Sequence, residues 1–156
     1  MSDGTPPANT PPVQTHAPQT LAGQMLTAQV LENMDAGPAL RTIAMPADTN
    51  PNGDIFGGWL LSQMDLAGGV AALRRAGGRV ATVGIEAMTF HKPVFVGDEV
   101  SCFAHVEKVG RTSIRVRVET WVRRQRSASE GIKVTEGVFT YVAIGEDRMP
   151  REVPPE

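Results

Sequence analysis

Asp65 is the most conspicuous chemical group in this 156-residue chain. It stands in WLLSQMDLAGGVAALRR (59–75), a run otherwise dominated by apolar side chains. Burying an unpaired carboxylate is costly, so Asp65 must be paired, protonated or placed at an accessible site. It either belongs to such a site or lies on one polar stripe of a helix, beside Ser62 and Gln63. Directly upstream runs NPNGDIFGG (50–58). A helix start presents unsatisfied N–H groups and the positive end of the macrodipole. Glycines there let a carbonyl approach the backbone, so Gly57 and Gly58 suit an oxyanion hole. The plainer alternative is an ordinary helix start with Asp54 as its cap.

A second candidate is the turn Gly110-Arg111-Thr112-Ser113, flanked by Lys108. Arg and backbone N–H groups suit phosphate oxygens, though a solvated hairpin end reads equally well. Arg123, Arg124, Arg126 and Lys133 decorate a longer polar loop, where a solvated end is the simpler reading. His91 and His105 read as strand or strand-end residues without a catalytic role, and His16 lies in the tail. Their spacing suggests no metal pair, and the single Cys102 reads as a small core hydrophobe. G-x-S-x-G, G-x-G-x-x-G and P-loop patterns do not occur, which leaves serine-elbow hydrolases, redox dinucleotide enzymes and NTP enzymes without support.

The elements that must position these groups are legible in the hydrophobic pattern. Residues 40–45 read as a short strand and 59–75 as the one long helix, apolar around most of its circumference and therefore buried. Gly68-Gly69 inside it costs about 1 kcal/mol per Gly relative to Ala. Packing outweighs that cost, so the glycines predict a close backbone approach, by a surrounding sheet or a partner subunit. Four strand-like runs follow, at 80–90, 99–109, 112–122 and 134–144. The third alternates cleanly, with Ile114, Val116, Val118 and Val122 on one face. Turns at Gly97-Asp98 and Gly110-Arg111 predict an antiparallel meander. The sum is an α+β domain of one helix and about five strands curled round it.

Composition bounds the function. Apolar residues are 41% and charged residues 21%, close to a soluble globular average, and the net charge of −2 offers no nucleic-acid footprint. Residues 1–40 hold three acids and none of the 15 bases. The missing basic n-region argues against a signal peptide, and a mitochondrial transit peptide would be rich in Arg. No apolar run reaches the ~18–20 residues of a transmembrane helix. The expectation is a soluble, cytoplasmic protein without membrane or nucleic-acid partners. Residues 1–39 read as a tail, with five Pro and four Thr in the first 20 and a possible short amphipathic helix at 21–34.

The stretch RTIAMPADTNPNGDIFGGWLLSQMDLAGG (41–69) closely resembles the signature of the YciA-type acyl-CoA thioester hydrolases, a branch of the hotdog-fold thioesterases. The resemblance continues through VGIEAMTFHKPVFVGDEV (83–100), VGRTSIRVRVETWV (109–122) and VTEGVFTYVAI (134–144), and covers about residues 40–152. It implies a hotdog fold, one long helix wrapped by a curved antiparallel sheet. It implies hydrolysis of acyl-CoA to free CoA and a carboxylic acid, with no metal and no cofactor beyond the CoA of the substrate. It further implies self-association as dimers with shared sites, and hexamers built as trimers of dimers.

By that resemblance Asp65 is the catalytic carboxylate, acting as general base or nucleophile, and Gly57-Gly58 polarises the thioester carbonyl. Gly110, Arg111, Thr112 and Ser113 lie against CoA. Related hotdog thioesterases often carry Asn where this chain has Asp54, a second carboxylate that could cap the helix or position water. The acyl tunnel would depend on Trp59, Met64, Met88 and Phe90. Two other functions fit a hotdog domain. A non-catalytic acyl-CoA sensor that regulates transcription would carry a DNA-binding module, and the base-free extension is unsuited to DNA. A hotdog enoyl-CoA hydratase would place a His on the central helix or its preceding loop, and none occurs there.

Overall fold

The computed structural model describes residues 37–124 and 131–155. Residues 1–36 of the tail, with the helix expected at 21–34, and Arg126 lie outside them. The order is β1 (Leu40–Ile43), a 3₁₀ turn (Pro46–Asp48), α1 (Gly57–Ala76), β2 (Val80–Phe90), β3 (Glu99–Val109), β4 (Ser113–Arg123) and β5 (Ile132–Ala143). The strands form one antiparallel sheet in the order β1-β3-β4-β5-β2. The meander of β3, β4 and β5 is as the turns predict. β2 returns to the far side of β5 and forms a sheet edge.

Alternation decides which face meets the helix. Ile114, Val116 and Val118 of β4 are fully buried against α1, with Phe139 and Tyr141 of β5 beside them. Each large apolar side chain so buried is worth about 1.5–3 kcal/mol. The opposite face carries ion pairs: Arg117 with Glu107 at 2.5 Å, Lys133 with Glu119 at 3.1 Å and Glu136 at 2.9 Å, and Arg115 with Glu86. Burial opposes the charge on Glu136, but hydrogen bonds from Lys133 and His91 outweigh it and hold its carboxyl below the usual range. His91 has its structural partner here, its Nε2 lying 3.0 Å from Glu136 Oε1. Half-exposed pairs of this kind contribute little stability, so this face orients rather than holds the sheet.

The helix departs from expectation in one respect. Leu60, Met64, Ala67, Gly68, Ala72 and Ala76 form a buried stripe against the sheet. Leu66, Val70 and Leu73 on the other side are 57%, 37% and 50% exposed within the single chain. The sheet is open, as a hotdog sheet is, and in a single chain it leaves this side of α1 uncovered. Gly77 ends the helix with φ 59°, the left-handed conformation that favours glycine. Arg151 Nη2 donates to Ala76 O at 2.8 Å, placing a cation at the negative end of the helix. Among the described residues no helix is long and apolar enough to cross a membrane.

Cys102 is a core residue, fully buried, with its Sγ 3.4 Å from Thr120 Oγ1 in a hydrogen bond. Burial pushes its thiol up to about 11, against the smaller opposing effect of that bond. A buried thiol raised in this way stays protonated at pH 8, and the thiolate is the reactive form. The native protein is expected to leave an aromatic disulfide reagent unreacted over minutes at pH 8, and the denatured protein to titrate one thiol per chain. Rapid reaction of the native protein would contradict the buried placement.

Candidate active site

The loop entering α1 is ordered by Asn50, not by Asp54. Asn50 Oδ1 accepts from Asn52 N at 2.9 Å and Asp54 N at 3.2 Å, and Asn50 N donates to Asp54 O at 2.7 Å. Phe56 N donates to Asp48 O at 2.8 Å, which closes the loop. The helix begins at Gly57, two residues before the hydrophobic pattern predicts, with Phe56 as N-cap and no side-chain cap. The alternative in which Asp54 caps the helix therefore does not hold: its side chain is exposed on the loop. The competing local bond from Asn50 takes the role that a helix-start Asp usually fills.

Gly57 and Gly58 are the first two helical residues, so their N–H groups precede the helical hydrogen-bond ladder. Each borders a different cleft. One, of about 280 Å³, is lined by Ile55, Gly57, Leu60, Phe90, Lys92 and Val94 among others. The other, of about 380 Å³, is lined by Asp48, Thr49, Phe56, Gly58 and Trp59 among others. Of the four residues expected along an acyl tunnel, Phe90 and Trp59 line these clefts. Met64 is fully buried in the core, and Met88 packs over Gly137 at a bulge where Ala87 takes a φ of 51°.

Asp65 does not join Ser62 and Gln63, which bond to each other at 3.3 Å. It turns to the sheet. Thr82 Oγ1 donates to Asp65 Oδ1 at 2.8 Å, and Tyr141 Oη donates to Asp65 O at 2.9 Å and to Oδ1 at 3.2 Å. The register explains the meeting: Thr82 and Tyr141 are direct partners across β2 and β5, so both project from one face. Tyr141 is 1% exposed. Burial first, then the Asp65 charge and its hydrogen bond, push the phenol far above its ordinary range, so it stays a donor. A Cβ on Gly68 would fall on the Tyr141 hydroxyl. The helix glycine thus admits a side chain of the chain's own sheet, not the backbone approach expected from sequence.

Sequence reasoning missed Thr82 and Tyr141. One signal was available: Tyr141 is the only tyrosine of the chain, and a polar-tipped aromatic opposite a glycine-bearing helix wants a buried partner.

The turn Gly110–Ser113 lies one register step from Tyr141, since Ser113 pairs with Val142 and Ile114 with Tyr141. Gly110 N donates to Ser113 O at 2.8 Å, Ala143 N to Thr112 O at 2.8 Å and Val153 N to Arg111 O at 2.9 Å. The main chain is pinned on three sides while the Arg111 side chain is exposed. Of the cations expected on the longer loop, Arg124 and Lys133 are engaged, Lys133 within β5. Arg124 stacks 4.6 Å over Phe95 and Lys133 holds its two glutamates. Among the described residues, no group of three His, Cys, Asp or Glu could hold a metal ion.

A single helix laid on an open antiparallel sheet of five strands is the architecture of the hotdog fold. A model of the thioesterase superfamily matches residues 52–129. The acyl-CoA thioester hydrolase YciA of Salmonella typhimurium is 55% identical over 117 residues, covering 74% of this chain and 88% of that one. The hexameric thioesterase y2039 of Yersinia pestis superposes with a TM-score of 0.72 at 51% identity, covering 76% of this chain and 96% of the other. An acyl-CoA hydrolase of Staphylococcus aureus, solved with butyryl coenzyme A, coenzyme A and coenzyme A disulfide, superposes with a TM-score of 0.68 at 27% identity, covering 74% and 70%. The chain belongs to the thioesterase superfamily, among the YciA-type acyl-CoA thioester hydrolases.

Proposed function

We propose that the protein hydrolyses acyl-CoA thioesters to free CoA and a carboxylic acid. The observation that carries this reading is the Asp65 carboxylate, held against the sheet by two hydroxyls, on a helix whose glycine start offers free N–H donors. The acyl-CoA thioester hydrolase names of its relatives support the same substrate class. Asp65 takes a proton from water as the water attacks the thioester carbon, and N–H groups of Gly57 and Gly58 hold the developing oxyanion. CoA departs as the thiolate. The reaction draws on no metal or cofactor. Direct attack by Asp65, through a mixed anhydride that water then opens, uses the same groups. Gly110, Arg111, Thr112 and Ser113 receive CoA. Asp54, exposed at the loop tip, is a candidate for positioning water.

One chain cannot assemble this site. Asp65 lies eight residues along the helix from Gly57, about 12 Å at 1.5 Å per residue, and the helix-start N–H groups point away from it. A water on Asp65 and an oxyanion on Gly57 must sit within bonding distance of one carbon, so the two elements come from different copies. Self-association is supported by the hexameric state of the Yersinia relative. It is also supported by β2, an open sheet edge with Val83 60% and Ile85 42% exposed, and by the uncovered side of α1. Dimers joined so as to share sites, grouped in threes, satisfy both.

The test is a panel of acyl-CoA esters with free thiol followed by an aromatic disulfide reagent. The expected result is stoichiometric CoA release, far above the spontaneous rate. Tight acyl-CoA binding without thiol release would instead identify a sensor. Loss of enoyl absorbance without thiol release would identify a hydratase.

A further inference from the structure

Both hydroxyls that reach Asp65 do so at one carboxylate oxygen. Thr82 Oγ1 and Tyr141 Oη donate to Oδ1 at 2.8 and 3.2 Å, and no hydrogen bond from a described residue engages Oδ2. The Tyr141 proton is shared between Oδ1 and the main-chain oxygen of Asp65 itself, so the phenol holds the side chain relative to its own backbone. Gly68 leaves the room in which it does so.

We infer that Tyr141 is a positioning residue for thioester hydrolysis, tethering Oδ1 of Asp65 so that Oδ2 is the oxygen presented to the attacking water. The inference rests on the reading of Asp65 as the reacting carboxylate. Burial keeps the Tyr141 phenol protonated throughout the working range, so it remains a donor to Oδ1. The groups facing Asp65 are Tyr141 from β5 and Thr82 from β2. The charged residues Glu86, Lys133 and Glu136 of those strands pair with one another and with Arg115 on the opposite face of the sheet.

The experiment is steady-state free-CoA release by the full chain, with kcat and KM separated, in wild type, Tyr141→Phe, Gly68→Ala and Asp65→Asn. Tyr141→Phe keeps the ring that stacks beside Phe139 at a 6.4 Å centroid distance, and its melting temperature and assembly state report whether it folds. Its kcat is expected to fall about tenfold with KM little changed, as a misplaced reacting group predicts. Gly68→Ala keeps the phenol but displaces it, and is expected to lower kcat in the same way. A purely structural role would lower the melting temperature or the assembled fraction and leave kcat per folded chain unchanged. Wild-type kcat in both folded variants, with Asp65→Asn inactive, overturns the assignment of Tyr141 alone. Asp65→Asn at the wild-type rate overturns the reading of Asp65 on which it rests.

Discussion

Asp65→Asn is expected to lower kcat for acyl-CoA hydrolysis at least about a hundredfold, the lower end of what a positioned general base contributes. The substitution is nearly isosteric. The amide oxygen can still accept from Thr82 and Tyr141, so the fold and the sheet contact should survive. What is lost is the basic oxygen that takes the proton from water. CoA affinity should be largely retained, because the turn Gly110–Ser113 is held by Ala143 and Val153 and not by Asp65. A fall in kcat with little change in KM is the signature of an interaction made in the transition state. Steady-state thiol release and CoA binding measured on the same preparation check both halves. Turnover near the wild-type rate would remove Asp65 from the reaction.

Gly57→Pro should cost a similar factor for a different reason. Gly57 is the first helical residue, the position where proline is best tolerated. Phe56, with φ −65° and ψ 126°, already has the extended conformation that proline demands of its predecessor. A side chain at this position would meet only the Phe90 ring, at ordinary contact distance of 3.7 Å. The substitution therefore deletes one N–H with little disturbance. Loss of an oxyanion-hole donor costs about 10²–10³ in kcat. Full activity would move the donor role to Gly58 or elsewhere.

Mixing the two variants tests the sharing of sites. In a two-fold dimer that takes Asp65 from one chain and Gly57 from the other, random mixing of Asp65→Asn and Gly57→Pro chains restores about a quarter of the sites. No recovery would mean that both groups come from one chain.

How much of this was legible in the chain differs residue by residue. The strand runs and the helix were legible because their periods differ. Ile114, Val116 and Val118 alternate, while Leu60, Met64, Ala67 and Ala72 recur along one helix face. Asp65 stood out because a carboxylate in an apolar helix needs a reason, and the motif around it supplied one. Asp54 misled, since a helix-start Asp is usually a cap. Here the Asn50 side chain had already organised the loop, four residues earlier.

Thr82 and Tyr141 could not be found the same way. They touch Asp65 only because β2 skips two strands to pair with β5, in a register set by long-range packing, and Tyr141 lies 76 residues from Asp65. The sequence by itself determined the elements, the buried face of β4 and the glycine helix start, because these follow from local period, and it singled out Asp65 as a candidate through the motif around it. Only the tertiary structure decided which oxygen of Asp65 is tethered and why Gly68 must be small. Those are contacts between residues remote in the chain, and hydrophobic period carries no record of them.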